Sequence, residues 1–219
     1  MKPRLISLAA FALALSGSPL WASDVEVRTF SINIDNQKVG ELRITAMKAE
    51  DGGCTVSAER VVQIKQGDGW WRAVFSGVES WKNGRLHNLD ACSVVDGNRR
   101  AVNASIRNEK VRILTNGQRS DAPLDVWTSN WWTPPEMPSP ARAIMVLEPD
   151  TGRVISAQIE RVGMDRLTIL DKAQEFTHFR IHCENSRLDL WYGDDDHLVR
   201  SAGVENHKPV VLELMKVQR

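Results

Sequence analysis

The sequence predicts an all-β protein, a strongly curved antiparallel sheet or partly open barrel with a Trp/Pro-rich crossover segment at mid-chain. Three observations carry this. Apolar and polar residues alternate with period 2 almost from end to end, the gaps between runs hold turn residues, and strong helical periodicity appears nowhere. Short strands at such regular spacing are the pattern of all-β sheets, barrels and sandwiches.

Met1 to Ala22 stand apart from the fold. Lys2 and Arg4 precede the apolar run "LISLAAFALAL", and "SGSPLWA" ends in a small residue. This is the three-part layout of a secretory signal peptide, with an apolar run too short to span a bilayer. The expected mature chain, 23–219, is a single β domain of roughly 200 residues, long enough for a real core. The whole chain has 28 basic and 28 acidic residues; losing Lys2 and Arg4 leaves a formal net charge of −2. That balance lacks the basic footprint of a nucleic-acid binder and the polybasic cluster of an anionic-membrane binder. No later apolar run has the length of a spanning helix.

In the mature part, "FSINIDNQKVGELRITA" alternates Phe30, Ile32 and Ile34 with polar residues, turns at Asp35 to Lys38 and resumes with Leu42 and Ile44, a hairpin by pattern and turn chemistry. Strands are expected at Thr55 to Lys65, Trp70 to Lys82, Arg85 to Val95, Ala101 to Arg107 and Val111 to Leu114. Past the Trp/Pro segment they are expected at Arg153 to Val162, Arg166 to Leu170, Glu175 to Cys183, Arg187 to Tyr192, His197 to Ala202 and Val210 to Met215. Ala141 to Leu147 reads as one or two helical turns.

Asn83-Gly84 in "WKNGRL" favours a type I′ two-residue loop, whose twist matches its strands. Taken literally it sets Lys82 opposite Arg85, Phe75 opposite Cys92 and Trp71 opposite Asp96. A three-residue loop at Gly67 to Gly69 sets Val62 opposite Val74. In that register one face collects Val56, Ala58, Val62, Ile64, Val74, Val78 and Leu89, and the other collects Val61, Phe75, Trp81, Leu86, Cys92 and Val94. A sheet apolar on both sides needs a cover on each. Cys54 and Cys92 then lie roughly 23 Å apart at strand rise, beyond the reach of a disulfide. The three cysteines are therefore either one pair using Cys183 or small buried hydrophobes.

Metal and catalytic signals are thin. In "THFRIHCENS", His178, Arg180 and His182 alternate with Phe179, Ile181 and Cys183 along a strand, so His182 and Cys183 face opposite ways and no local chelate forms. A turn at Asn185-Ser186 sets Glu184 opposite Arg187, His182 opposite Asp189 and Arg180 opposite Trp191, cross-strand pairs on a polar outer face. No "GxSxG" elbow completes a triad around His182 and Asp189. Asp194, Asp195 and Asp196 lack calcium-loop spacing and read as a solvated turn. Neither "GxxxxGK[ST]" nor "GxGxxG" occurs. No metal, cofactor or catalytic residue is expected. Glu79 and Arg60 stand inside apolar faces, where such groups orient a ligand head group or, more commonly, reach water at a sheet margin.

Several stretches together resemble a known family: "FSINIDNQKVGELRI", "ESWKNGRLHNLDACSVVDGN", "SNWWTP", "EPDTGRVISAQIERVG" and "LDLWYGDDDHLV". In this order they are similar to secreted Gram-negative bacterial proteins catalogued only as a domain of unknown function. The resemblance covers most of the mature chain and implies an exported, curled antiparallel β-protein. It brings no activity or catalytic residue, and the three cysteines are not part of its pattern.

The crossover "TSNWWTPPEMPSPAR", Thr128 to Arg142, poses the functional question. Prolines push the local backbone toward extended geometry, in which Trp131 and Trp132 face opposite ways, one buried and one near the surface. The segment is either a plug over an apolar face or, in a functional role, a lid on a hydrophobic pocket or an aromatic patch for a partner. The sequence reading places a non-enzymatic binding or carrier protein in the periplasm, for a lipid or other apolar or amphipathic envelope molecule. Trp71, Phe75, Trp81, Trp131 and Trp132 are its expected apolar lining or cover, with Arg60 and Glu79 as polar contacts. The alternative is a structural or interaction module with a solid core that binds another envelope protein.

Overall fold

The alternation resolves into one sheet, antiparallel throughout except for a two-residue parallel pair, Trp127-Thr128 with Val146-Leu147, at one edge. The computed structural model describes residues 25–135, 141–183, 186–205 and 207–219; the expected signal peptide and the Glu184–Arg187 pair lie outside them. The first meander holds β1 (Val25–Ile34), β2 (Gln37–Lys48), β3 (Cys54–Gln66), β4 (Gly69–Lys82), β5 (Arg85–Val95), β6 (Asn98–Arg107), β7 (Lys110–Thr115) and β8 (Gln118–Ala122). The second holds β9 (Trp127–Thr128), β10 (Ala141–Leu147), β11 (Val154–Ile169), β12 (Lys172–Cys183), β13 (Ser186–Tyr192), β14 (Leu198–Glu205) and β15 (Lys208–Gln218). Within one 15-stranded sheet the order is β8-β7-β6-β5-β4-β3-β2-β1-β15-β14-β13-β12-β11-β10-β9. The two meanders are thus zipped by the first and last strands. The outer edges, β8 and β9, are consecutive in sequence, so the residues joining them hold the edges within about 18 Å of each other at that end. The sheet curls into an all-β, barrel-like shell with an open seam.

Turn chemistry sets most of the hairpins. Asp35-Asn36, Asn83-Gly84, Asp96-Gly97, Asn108-Glu109, Asn116-Gly117 and Leu170-Asp171 all have both residues at positive φ, as type I′ loops require. The Lys82↔Arg85 pair forms as the turn dictates. Further along, a bulge between Ser80 and Trp81 shifts the pairing by one, so Phe75 opposes Ser93 and not Cys92. The loop at Gly67-Asp68 holds two residues, Gln66 pairs with Gly69, and Val62 opposes Ala73.

These two slips change the faces. Arg60, Phe75 and Ser93 line up across three strands, as do Val56, Glu79 and Leu89. Val56, Ala58, Val62, Phe75, Glu79, Leu86 and Leu89 therefore share one buried inner face. Val61 and Val78 turn outward at 43% and 46% exposure. The expectation of two apolar faces is corrected to one, because a one-residue slip exchanges the faces of a strand.

Three more expectations change. Ala141–Leu147 is a strand, laddered to β11 from Ala141↔Glu160 to Leu147↔Val154; seven residues cannot hold a helix against that pairing. The separate strands expected around Val162 are a single β11, bulged between Arg161 and Gly163. On β12, His182 opposes Arg187 and Arg180 opposes Asp189, a two-residue shift from the expected register that preserves the faces. No disulfide joins Cys54, Cys92 and Cys183.

Leu170 sits at φ 52° with 42% of its surface exposed, a left-handed conformation that branched side chains adopt at a cost. Replacing Leu170-Asp171 with Asn-Gly should stabilise the protein by roughly 1 kcal/mol, read as a higher urea midpoint at unchanged m-value.

Candidate functional site

The interior of the curl is where a ligand would be expected, and the chain's own crossing segment occupies it. Trp127 packs on Trp81 with centroids 4.8 Å apart. From there the backbone crosses to the other meander. The Tyr192 hydroxyl donates to the Trp131 carbonyl at 3.2 Å, and the Leu198 amide donates to the Trp132 carbonyl at 3.1 Å. Trp131 has φ 49°, which abolishes the expected alternation, and both tryptophans are 7% exposed. That corrects the expectation of one ring in and one ring out: the proline rule governs residues just before proline, and Trp131 precedes Trp132. Residues 136–140, the rest of the proline run, lie outside the described residues.

Glu79 is the polar anchor of this crossing. Its carboxylate accepts from Trp81 Nε1 at 2.9 Å, Thr128 Oγ1 at 3.0 Å and Asn130 Nδ2 at 2.5 Å, and the residue is 1% exposed. It is not at a water-reaching margin. Burial pushes its pKa up from 4.5 to about 7, against the lowering effect of those three donors. Arg60 lies on the same face, reaches Asp150 Oδ2 at 2.8 Å and stands over the Phe75 ring at 5.4 Å. The Ser93 hydroxyl donates to the Asp150 carbonyl at 2.9 Å. The β10–β11 turn therefore covers the inner face at Phe75, while Trp71 remains half-buried at its rim. The structure brings Glu79, Trp81, Trp131 and Trp132 to the crossing segment. It places Arg60, Phe75 and Trp71 away from it.

A second cluster is absent from the sequence expectations, although "VEVRTFSINI" carries its signal: Glu26 and Arg28 share the parity of Phe30 and Ile32, so they face inward. Arg28 Nε meets Glu26 Oε1 at 2.6 Å, its Nη1 donates to the Leu198 carbonyl at 3.1 Å, and its Nη2 pairs with Asp195. Arg219 bridges Glu26 at 2.6 Å and Asp195 at 3.0 Å. His197 Nδ1 lies 3.0 Å from Glu26 Oε1, and its ring stacks on Trp132 at 4.3 Å. Burial alone would raise the Glu26 pKa; hydrogen bonds from Arg219 and Arg28 and the charge of Arg28 and His197 outweigh it and bring the value from 4.5 to about 2. Burial, then the Arg28 charge, lowers His197 below 6.5 against the pull of Asp195 and Glu26. Glu26, Asp195 and His197 offer ligand atoms within 4.8 Å of one another. Two guanidiniums already neutralise the two carboxylates, so the group acts as an ionic clasp joining both ends of the described chain to the β13–β14 turn. The turn expected to be merely solvated is half of it.

On the outer face, the histidine–aspartate pair is His178 with Asp189, at 2.8 Å, rather than His182 with Asp189. His178 Nδ1 lies 3.0 Å from Asp165 Oδ2, outside hydrogen-bond geometry. The ring stacks on Trp191 at 4.7 Å. Asp189 also accepts from Arg180 at 2.8 Å and meets Arg187 at 3.1 Å. With a carboxylate facing each ring nitrogen of His178, no position is left for a nucleophile on it. His182 meets Glu160 at 3.5 Å.

A family model described as Domain of unknown function (DUF6134) matches residues 30–214. No curated protein matches the chain. Among solved structures, it is similar to the crystal structure of a beta-barrel-like protein of domain of unknown function DUF1849 from Brucella abortus. The TM-score is 0.67 at 8% identity, over 89% of this chain and 97% of that one. At that identity the likeness concerns the fold.

Two outcomes follow for the buried carboxylates. The protonated form of Glu79 is fully favoured below pH 4.5, and its contribution is lost as pH rises from 4.5 through about 7. Glu79→Gln should flatten that limb of a melting-temperature profile and stabilise the protein above pH 7 by roughly 1–3 kcal/mol. Glu26 has the opposite sign: its contribution is present above pH 4.5 and lost as pH falls toward 2. Glu26→Gln should therefore flatten the acid limb alone.

Proposed function

We propose, on the premise that the chain belongs to the family described as Domain of unknown function (DUF6134), that this protein is a non-enzymatic interaction module of the periplasm. It has a solid interior and engages its partner through its outer surface. One observation carries this reading: Trp131 and Trp132 are both buried, and the segment that holds them is bonded to Glu79 of one meander and to Tyr192 and Leu198 of the other. Two shallow concavities of the described residues lie outside, one over β13 and β14 and one over β4 to β7. The signal-peptide layout at the N-terminus supports export, and the carboxylate-flanked His178 supports a role without catalysis.

A carrier of an apolar or amphipathic molecule would have to clear the same interior. That requires breaking the Glu79 bonds to Thr128 and Asn130, the Tyr192 and Leu198 bonds to the crossing segment, and the stack of Trp132 on His197. Those losses make the solid core the better-supported reading. In it, Trp131, Trp132, Trp81 and Phe75 are packing residues and Glu79 and Arg60 hold the cover.

Trp131→Ala should destabilise the protein by about 3–5 kcal/mol, the range for removing a large buried aromatic. Native mass spectrometry of the mature protein from its own compartment should give the bare chain mass. A co-purifying lipid, lost in a folded Trp131→Ala or Trp132→Ala variant, would reverse the assignment and make the segment a lid.

A further inference from the structure

We propose that the free edge of β8 pairs with the same edge of a second copy of this chain, antiparallel and in a two-fold register centred on Ser120. β8 ends the sheet on one side and is laddered to β7 alone. Gln118, Arg119, Ser120 and Asp121 are all exposed, whichever face they point to. The strand therefore stands clear of the shell, where another strand can reach it.

Backbone geometry decides which groups that edge offers. The two-residue turn at Asn116-Gly117, both at positive φ, makes Thr115↔Gln118 a hydrogen-bonded pair. Bonded and non-bonded pairs then alternate, so Ser120 and Ala122 bond to Ile113 and Val111, while the N–H and C=O of Arg119 and Asp121 point away from β7. Among the described residues no hydrogen bond engages those outward groups. In an antiparallel partner they can be met only by groups of the same kind. Setting Arg119 opposite Arg119, or Asp121 opposite Asp121, opposes like charges and pushes the other residue against Gly117 or Pro123, outside the strand. Setting Arg119 opposite the partner's Asp121 uses both residues of both copies, each pair exchanging both of its N–H···O bonds.

The side chains favour that same register. Arg119 and Asp121 share the outer face of β8, with Nη2 3.6 Å from Oδ2. The buried Arg112 Nε lies 3.5 Å from Asp121 Oδ1 and has no hydrogen-bond partner. No hydrogen bond reaches the Asp121 carboxylate, so its lone pairs are free to accept from the partner's Arg119. In the pair, each Asp121 sits between Arg112 of its own copy and the partner's Arg119, a row of alternating sign that stabilises cross-strand pairing. The same charges oppose slipped registers and other strand edges. A five-residue edge falls short of the roughly 1,000 Å² of a lasting interface. The pair is therefore transient and weakened by salt.

Sedimentation equilibrium of the purified protein at low ionic strength, from about 10 μM to about 1 mM, should show a reversible monomer–dimer equilibrium. Arg119→Asp and Asp121→Arg, each folded by circular dichroism, should each weaken self-association at least about tenfold. An equal mixture of the two should recover it, because each supplies the charge the other lacks. Arg119→Pro removes an outward N–H, leaves the β7 ladder intact and should also dissociate the pair. A monomer at every concentration, a dimer indifferent to these substitutions, or a mixture that stays monomeric would overturn the pairing. None of those results bears on what fills the interior, so the solid-core reading stands or falls separately.

Discussion

The structure depends on how a single apolar sheet face is covered when the chain supplies no helix to cover it among the described residues. Curling the sheet brings the face against itself, and the segment after β9 occupies what remains. Trp127, Trp131 and Trp132 supply the packing volume, while Glu79, Tyr192 and Leu198 tie the segment to both meanders. Aromatic rings suit this place because they bury large area in two torsions. The carboxylate among them is tolerated because three donors surround it.

Much of the ladder was legible because strand sequences carry period 2 and their turns carry Asn, Asp and Gly. "WKNGRL" specified its loop and its first pair. What the sequence hid was register beyond that pair. A bulge at Ser80 and Trp81 and a two-residue turn at Gly67-Asp68 each slip a strand by one. Neither has a compositional mark, since both answer to packing across the sheet. Their effect was large: two faces became one, and the demand for an outer cover disappeared.

The interior cluster was partly legible. Glu79 and Arg60 stood out as charges on apolar faces, and both became partners of the covering segments. Glu26 and Arg28 obey the same rule, but their partners Asp195, His197 and Arg219 lie more than 160 residues away, where no local pattern points. Trp131 departs from its expected alternation for a local reason. Its positive φ is imposed by the path between β9 and Tyr192, which neighbouring prolines do not reveal.

The central seam of the sheet joins β1 to β15, the two strands farthest apart in sequence. Every other antiparallel ladder pairs neighbours and can form while synthesis proceeds, whereas this one waits for β15. Loop closure over nearly the whole chain makes it a slow and late event. Until then, β1 and β2 end the first meander in an open edge with Glu26 and Arg28 unpaired by their distant partners. Two buried-to-be charges on that edge discourage premature pairing with another molecule, as inward-pointing charges do on natural sheet edges. The ionic clasp is thus a guard during folding and a lock after it.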